Sequence, residues 1–197
     1  FDLIPEELRA AAAEQFAAEI ARFDNHLATG FIGTPRLLPS LVRAGRSDLA
    51  YTLLMNKTYP SWLYQVKLGS TTMWERWNGW SPEKGFADPG MNSFNHYAFG
   101  AVGEFMYTDV AGIQPGADGF RKIIIRPRPG GGLSSAKLAY RSIRGEIVSD
   151  WKIENGKIRV AVAVPANTTA VVCLPAATAE GVTEGGAPVA AAKGVTN

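Results

Sequence analysis

The spacing of apolar residues changes period once along this chain, near Gly112, and that switch limits the fold to a helical part followed by a sheet part. Before it, Leu8, Ala12, Phe16, Ile20 and Phe23 recur every three or four residues, the stripe of an amphipathic helix that Pro5 starts and Asn25 ends. A second helix is expected from Arg36 to Ala44, with Gly45 as its stop. Ser47 caps a third through Leu49, Leu53 and Leu54, and Pro60 opens a fourth that ends near Gly69. A fifth is expected from Ser93 to Val110.

After Gly112 short strands follow: 121–126, 135–142, 145–154, 157–165 and 168–174. Asn155-Gly156 joins two of them, and both residue types tolerate the positive φ of a tight hairpin turn. These strands read as an antiparallel sandwich packed on the helices, with Trp151 in its core or at the junction. The expected domains are therefore 1–112 and 113–197. The Ala- and Gly-rich stretch 176–197 adds one more strand or an edge. The strand positions offer no aromatic platform, so a sugar-binding role for the sheet part ranks low.

Several functional classes are excluded early. The net charge is +2 with no dense Lys/Arg run, which argues against nucleic acid. No apolar run approaches the roughly 20 residues that cross a bilayer. Cys173 is the single cysteine, so there is no disulfide framework, no acidic constellation demands calcium, and no cofactor is expected. Gly130-Gly-Gly132 is followed by no helix and is not a phosphate loop. The expectation is a soluble globular chain.

The chemistry concentrates in the interval 70–92, whose Gly79, Pro82, Gly85, Pro89 and Gly90 make it a long loop between helices. It holds Glu75 among Trp74, Trp77 and Trp80, beside Arg76. Aromatic faces beside a carboxylate suit a sugar: pyranose C–H bonds pack on indole, and the acid serves as general acid, base or nucleophile. Two readings stand for Trp74 and Trp77, which lie three apart: sugar platforms, or the buried stripe of a helix. A second cluster follows at Asn92-Ser-Phe-Asn-His-Tyr97, where His96 is one of only two histidines and short polar residues crowd a helix start. Glu83 and Asp88 read as turn makers, Glu104 and Asp109 as surface or packing charges, and His26 as part of the first helix end.

Taken in order, Thr29-Gly-Phe-Ile-Gly-Thr-Pro35, Pro60-Ser-Trp-Leu-Tyr64, Thr71-Thr-Met-Trp-Glu-Arg-Trp77 and Asn92-Ser-Phe-Asn-His-Tyr-Ala-Phe-Gly100 resemble the bacterial α-L-rhamnosidases of glycoside hydrolase family 78, over roughly residues 20 to 155. The resemblance implies an inverting hydrolase of terminal α-L-rhamnosyl glycosides, with an (α/α)6 toroid followed by a C-terminal β-sandwich; five helices would be about half of the toroid. It makes Glu75 the general base and has His96 line the sugar pocket; the residues themselves add Trp80 as a candidate platform and Arg76 as a neighbour that would keep Glu75 ionised. The family's general acid lies in an acidic motif well before the Thr-Gly-Phe segment, and nothing like it precedes Thr29. Phe1 is not an initiator methionine, and no basic and apolar leader follows it. The expectation is the C-terminal part of a longer enzyme, inactive alone and partnered by the remaining N-terminal part. Two alternatives remain: a non-catalytic rhamnose-binding or scaffold protein of the same descent, and another (α/α)6 glycoside hydrolase.

Overall fold

The computed structural model describes residues 4–195. The expected opening Phe1-Asp-Leu3 and the last two residues of the tail lie outside the described residues. Four α-helices come first, α1 (Arg9–Arg22), α2 (Thr34–Arg43), α3 (Ser47–Met55) and α4 (Trp62–Lys67). Asp24 and Asn25, both at positive φ, end the first, as residue types that tolerate the left-handed region do. Two expected caps differ. Arg46 occupies the N-cap of α3 without a side-chain bond, and Ser47 is already helical. Ser61, not Pro60, starts α4, its Oγ accepting the Tyr64 N–H at 3.1 Å.

The stretch 70–97 carries the two-residue strands β1 (Trp80–Ser81) and β2 (Gly85–Phe86), paired antiparallel, and a 3-10 turn at Pro89–Met91. The expected helix 93–110 is shorter than its pattern. A 3-10 turn spans Ala98–Ala101, α5 spans Val102–Phe105, and a π-turn spans Met106–Val110. The reason lies in the backbone of 93–96, whose N–H and C=O groups bond sideways to residues 73–75 and cannot close helical turns.

Past Gly112 come two three-stranded sheets. One joins β3 (Ile113–Ala117), β4 (Lys122–Ile125) and β8 (Thr169–Val172); the other joins β5 (Ser135–Ser142), β6 (Gly145–Glu154) and β7 (Lys157–Ala163). The β5-β6-β7 meander is antiparallel throughout, and its Asn155-Gly156 turn has φ of 51° and 72°. In the other sheet β8 runs parallel to β4, against the all-antiparallel expectation. β8 arrives from β7 in the opposite sheet, so no hairpin fixes its direction. The tail forms a small hairpin of β9 (Thr183–Glu184) and β10 (Ala187–Pro188).

Two apolar clusters organise these layers. The helical one gathers Leu38, Leu41, Leu53, Trp62, Trp77, Phe99 and Phe105. The sheet one joins Ile113, Ile123 and Ile125 to Ile147, with Leu138 and Tyr140 beside them, so both sheets contribute. Between the clusters lies a polar seam. Trp151, with no exposed surface, donates from Nε1 to Val110 O at 2.7 Å, and Ser149 Oγ donates to Ala111 O at 2.6 Å. Trp151 thus serves the junction as well as the core.

Candidate functional site

Two irregular segments, 72–76 and 93–96, are laced together antiparallel. Glu75 N donates to Ser93 O at 2.8 Å, His96 N donates to Met73 O at 2.8 Å, and Thr72 Oγ1 donates to Phe94 O. Glu75 and His96, distant in sequence, therefore stand on neighbouring stretches of backbone. The lacing also orients the acid: Ser93 N–H donates to Glu75 Oε2 at 2.8 Å. One carboxylate oxygen is anchored and the other is left without a protein partner among the described residues. Arg76, expected beside it, makes no ion pair there among the described residues; its carbonyl instead accepts from buried Gln65 Nε2 at 3.0 Å, which ties the segment to α4. The carboxylate's anchor is thus a backbone amide that has no signature in the residue types.

His96 is set by its own first nitrogen. Ala98 N–H donates to Nδ1 at 3.3 Å, so in the neutral ring the proton sits on Nε2, which is a free donor. The ring stacks on Phe31 with centroids 4.8 Å apart and planes at 25°, and on Tyr97 at 5.6 Å and 3°. Phe31 belongs to the 29–35 segment, which buried Thr34 pins through bonds from Oγ1 to Gly30 O (2.9 Å) and Thr29 O (3.1 Å). In the sequence Phe31 has no signal of its own beyond its place in Thr29-Gly-Phe-Ile-Gly-Thr-Pro35.

The tryptophans divide. Trp77 stacks face to face on Phe99 at 3.9 Å and 15°, edge-on to Trp62, and Trp74 sits edge-on to Phe94; both are buried. They belong to the core, though not to a helical stripe, because 70–79 is not helical. Trp80 is half-buried on β1, opposite Phe86. Asn92 clamps the loop by donating from Nδ2 to Gly79 O at 2.9 Å, while its buried Oδ1 has no partner among the described residues.

The remaining candidates fill structural roles. Asp88 Oδ1 accepts from Gly90 N at 2.8 Å and Glu83 lies in the β1–β2 turn. His26, just past α1, bonds Thr58 Oγ1 at 2.8 Å and Asp24 O at 2.8 Å. Asp109 is buried against Arg128, Oδ1 to Nε 3.2 Å. Among the described residues no group of three His, Cys, Asp or Glu converges as a metal would require. Two clefts elsewhere, of about 360 and 510 Å3, are lined by neither Glu75, His96 nor Trp80.

Both parts of the chain have known relatives. Residues 1–110 match the model of the bacterial alpha-L-rhamnosidase 6 hairpin glycosidase domain, and residues 112–187 that of the bacterial alpha-L-rhamnosidase C-terminal domain. An alpha-L-rhamnosidase of Streptomyces avermitilis is 51% identical over 175 residues, which are 89% of this chain and 17% of that protein. One from Formosa agariphila is 47% identical over 175 residues, 89% of this chain and 19% of that protein. Among solved structures, the Streptomyces avermitilis alpha-L-rhamnosidase complexed with L-rhamnose superposes with a TM-score of 0.87 over 90% of this chain and 17% of that one. The native enzyme of Aspergillus terreus gives 0.82 at 38% identity, over 87% of this chain and 20% of that one. The chain thus spans about a fifth of the length of the relatives it matches.

Proposed function

Because this chain belongs to the bacterial α-L-rhamnosidase family, we propose that it is the C-terminal part of an inverting α-L-rhamnosidase that hydrolyses terminal α-L-rhamnosyl glycosides. In this reading residues 1–112 complete an (α/α)6 barrel and residues 113–197 form the β-sandwich behind it. Glu75 is the general base, His96 binds the sugar, and Trp80 is a candidate platform. The general acid comes from the remaining N-terminal part of the longer enzyme. The observation that carries the reading is the lacing of 72–76 to 93–96, with one Glu75 oxygen held by the Ser93 amide and the His96 donor turned free.

The chemistry follows from that arrangement. The unanchored Glu75 oxygen accepts a proton from a water as the water attacks the anomeric carbon opposite the leaving group. Inverting pairs leave about 6.5–9.5 Å between carboxyls for this water, so the acid belongs on the facing wall. His96 Nε2–H donates to a sugar hydroxyl, and stacking with Phe31 and Tyr97 holds its ring plane. In the longer enzyme, Glu75→Gln keeps the acceptor for the Ser93 amide but not the base. It should lower kcat on an aryl α-L-rhamnoside by a factor on the order of 10^2–10^4 with little change in KM. An unchanged kcat would remove Glu75 from the mechanism.

A further inference from the structure

The cleft of about 360 Å3 lies where the last helical turns meet the sheets, away from the laced segments. Its lining includes Gly103, Glu104, Tyr107, Thr108, Phe120 and Tyr140. Three rings form a corner: Tyr107 stands at 86° to Tyr140 with centroids 6.3 Å apart, and Phe120 meets Tyr140 at 47° and 5.1 Å. Tyr140 sits on β5 and Phe120 in the turn between β3 and β4, and Tyr107 meets them from the helical side. Tyr107 lies on the π-turn Met106–Val110, a backbone form that recurs at functional sites. Glu104 precedes it by three residues and shares its helix face. Gly103 leaves the wall beside them open.

Three polar groups of this corner, the carboxylate of Glu104 and the hydroxyls of Tyr107 and Tyr140, are engaged by no other side chain or backbone group among the described residues. Thr108 differs, since its hydroxyl already donates within the turn. The corner therefore offers an acceptor and two groups that both donate and accept, set on otherwise apolar walls. An ammonium carries donors only and would leave both phenol protons unmatched. A purely apolar ligand would gain nothing from these three polar groups. A pyranose matches both demands, with a C–H face for the rings and hydroxyls for the rim, and the cleft is at the small end of the roughly 300–1,000 Å3 usual for ligand sites.

We propose that this corner is a second saccharide-binding site, separate from the laced Glu75–His96 segments, that takes a single deoxyhexopyranose ring, its methyl group on the aromatic walls and its hydroxyls on Glu104 and Tyr107. Only the choice of sugar rests on the rhamnosidase reading.

The test is a site-resolved NMR titration of the protein with methyl α-L-rhamnoside. Saturable shifts at the amides of 103–108 and 138–141 are expected, with affinity at least about tenfold weaker in Tyr107→Ala and in Glu104→Gln. Both side chains are exposed, so each variant should fold, and unchanged shifts elsewhere verify it. Shifts confined to 72–76 and 93–97 overturn the second site and leave the hydrolase reading intact. Absence of shifts at the cleft up to tens of millimolar overturns it as well, while the Glu75→Gln turnover test still decides the hydrolase. Tighter saturation by tetramethylammonium than by the rhamnoside overturns the saccharide assignment.

Discussion

Asp109 is 6% exposed, and its carboxylate is held by Arg128 Nε at 3.2 Å and Thr108 Oγ1 at 2.8 Å. Asp109→Ala leaves a partly buried guanidinium without its acceptor, while the Thr108 hydroxyl keeps the Glu104 carbonyl at 2.8 Å. Removing one partner of a fully buried pair costs about 3–5 kcal/mol, and here Arg128 retains about a third of its surface in water. The expected loss is therefore nearer ~2 kcal/mol, read as a lower urea midpoint at constant m. A midpoint unchanged in Asp109→Ala would show the pair to be energetically neutral. At the site, Phe31 supports one face of His96. Phe31→Ala removes a contact of about 0.5–1.5 kcal/mol, so in the longer enzyme KM for the rhamnoside should rise roughly three- to tenfold while kcat changes less. Equal losses in both constants would instead mean that the ring positions the catalytic groups.

Between the helical and sheet elements the chain turns at Gly112, with φ of +86°. A Cβ there would lie 2.2 Å from Pro127 N and 2.4 Å from Arg126 C, which are backbone atoms with nowhere to go, and Gly112 O already accepts the Arg126 N–H at 2.8 Å. Gly112→Ala should cost more than about 3 kcal/mol, through steric overlap added to the left-handed strain. Gly45 is the control. It has φ of +75° and open space around its Cβ position, so Gly45→Ala should cost only about 1 kcal/mol. Equal melting temperatures for the two variants would contradict the close approach. The switch at Gly112 was legible because the period of apolar residues changes there, and 135–142 and 145–154 were legible because their alternation and Asn155-Gly156 are local signals. β3 was not: Ile113-Gln-Pro-Gly-Ala117 holds turn residues, and only pairing with β4 makes it a strand. The laced segments were half legible. Residue types marked Glu75 and His96, but the amide of Ser93 carries no residue signature, and whether Trp77 is platform or core depends on Phe99, twenty-two residues away.

At the scale of the whole molecule the helices and sheets are joined through Tyr51. Its ring fits under the backbone of Gly130 and Gly131, where any Cβ would come within 2.4 and 2.6 Å of it. Its hydroxyl donates to Arg128 O at 2.5 Å, and the ring meets Phe105 edge-on at 5.6 Å. Burial first, and the negative charge of Asp109 second, push the phenol from 10.0 up to about 12. The sign of the linkage follows from that direction. The unfolded chain releases the proton near pH 10 and the folded chain only near 12, so the stabilisation by the neutral phenol is complete below pH 10 and falls away as pH rises through 12. Two pK units correspond to at most about 2.7 kcal/mol, and ionisation would also remove the proton that bonds Arg128 O. The melting temperature of the protein should therefore drop between pH 10 and 12. Tyr51→Phe should lower stability at pH 7 by about 1 kcal/mol, the worth of one buried hydrogen bond, and flatten the alkaline step. If the variant keeps the same alkaline profile, the phenol that titrates with unfolding lies elsewhere, and the joint between helices and sheets is not what alkali opens first.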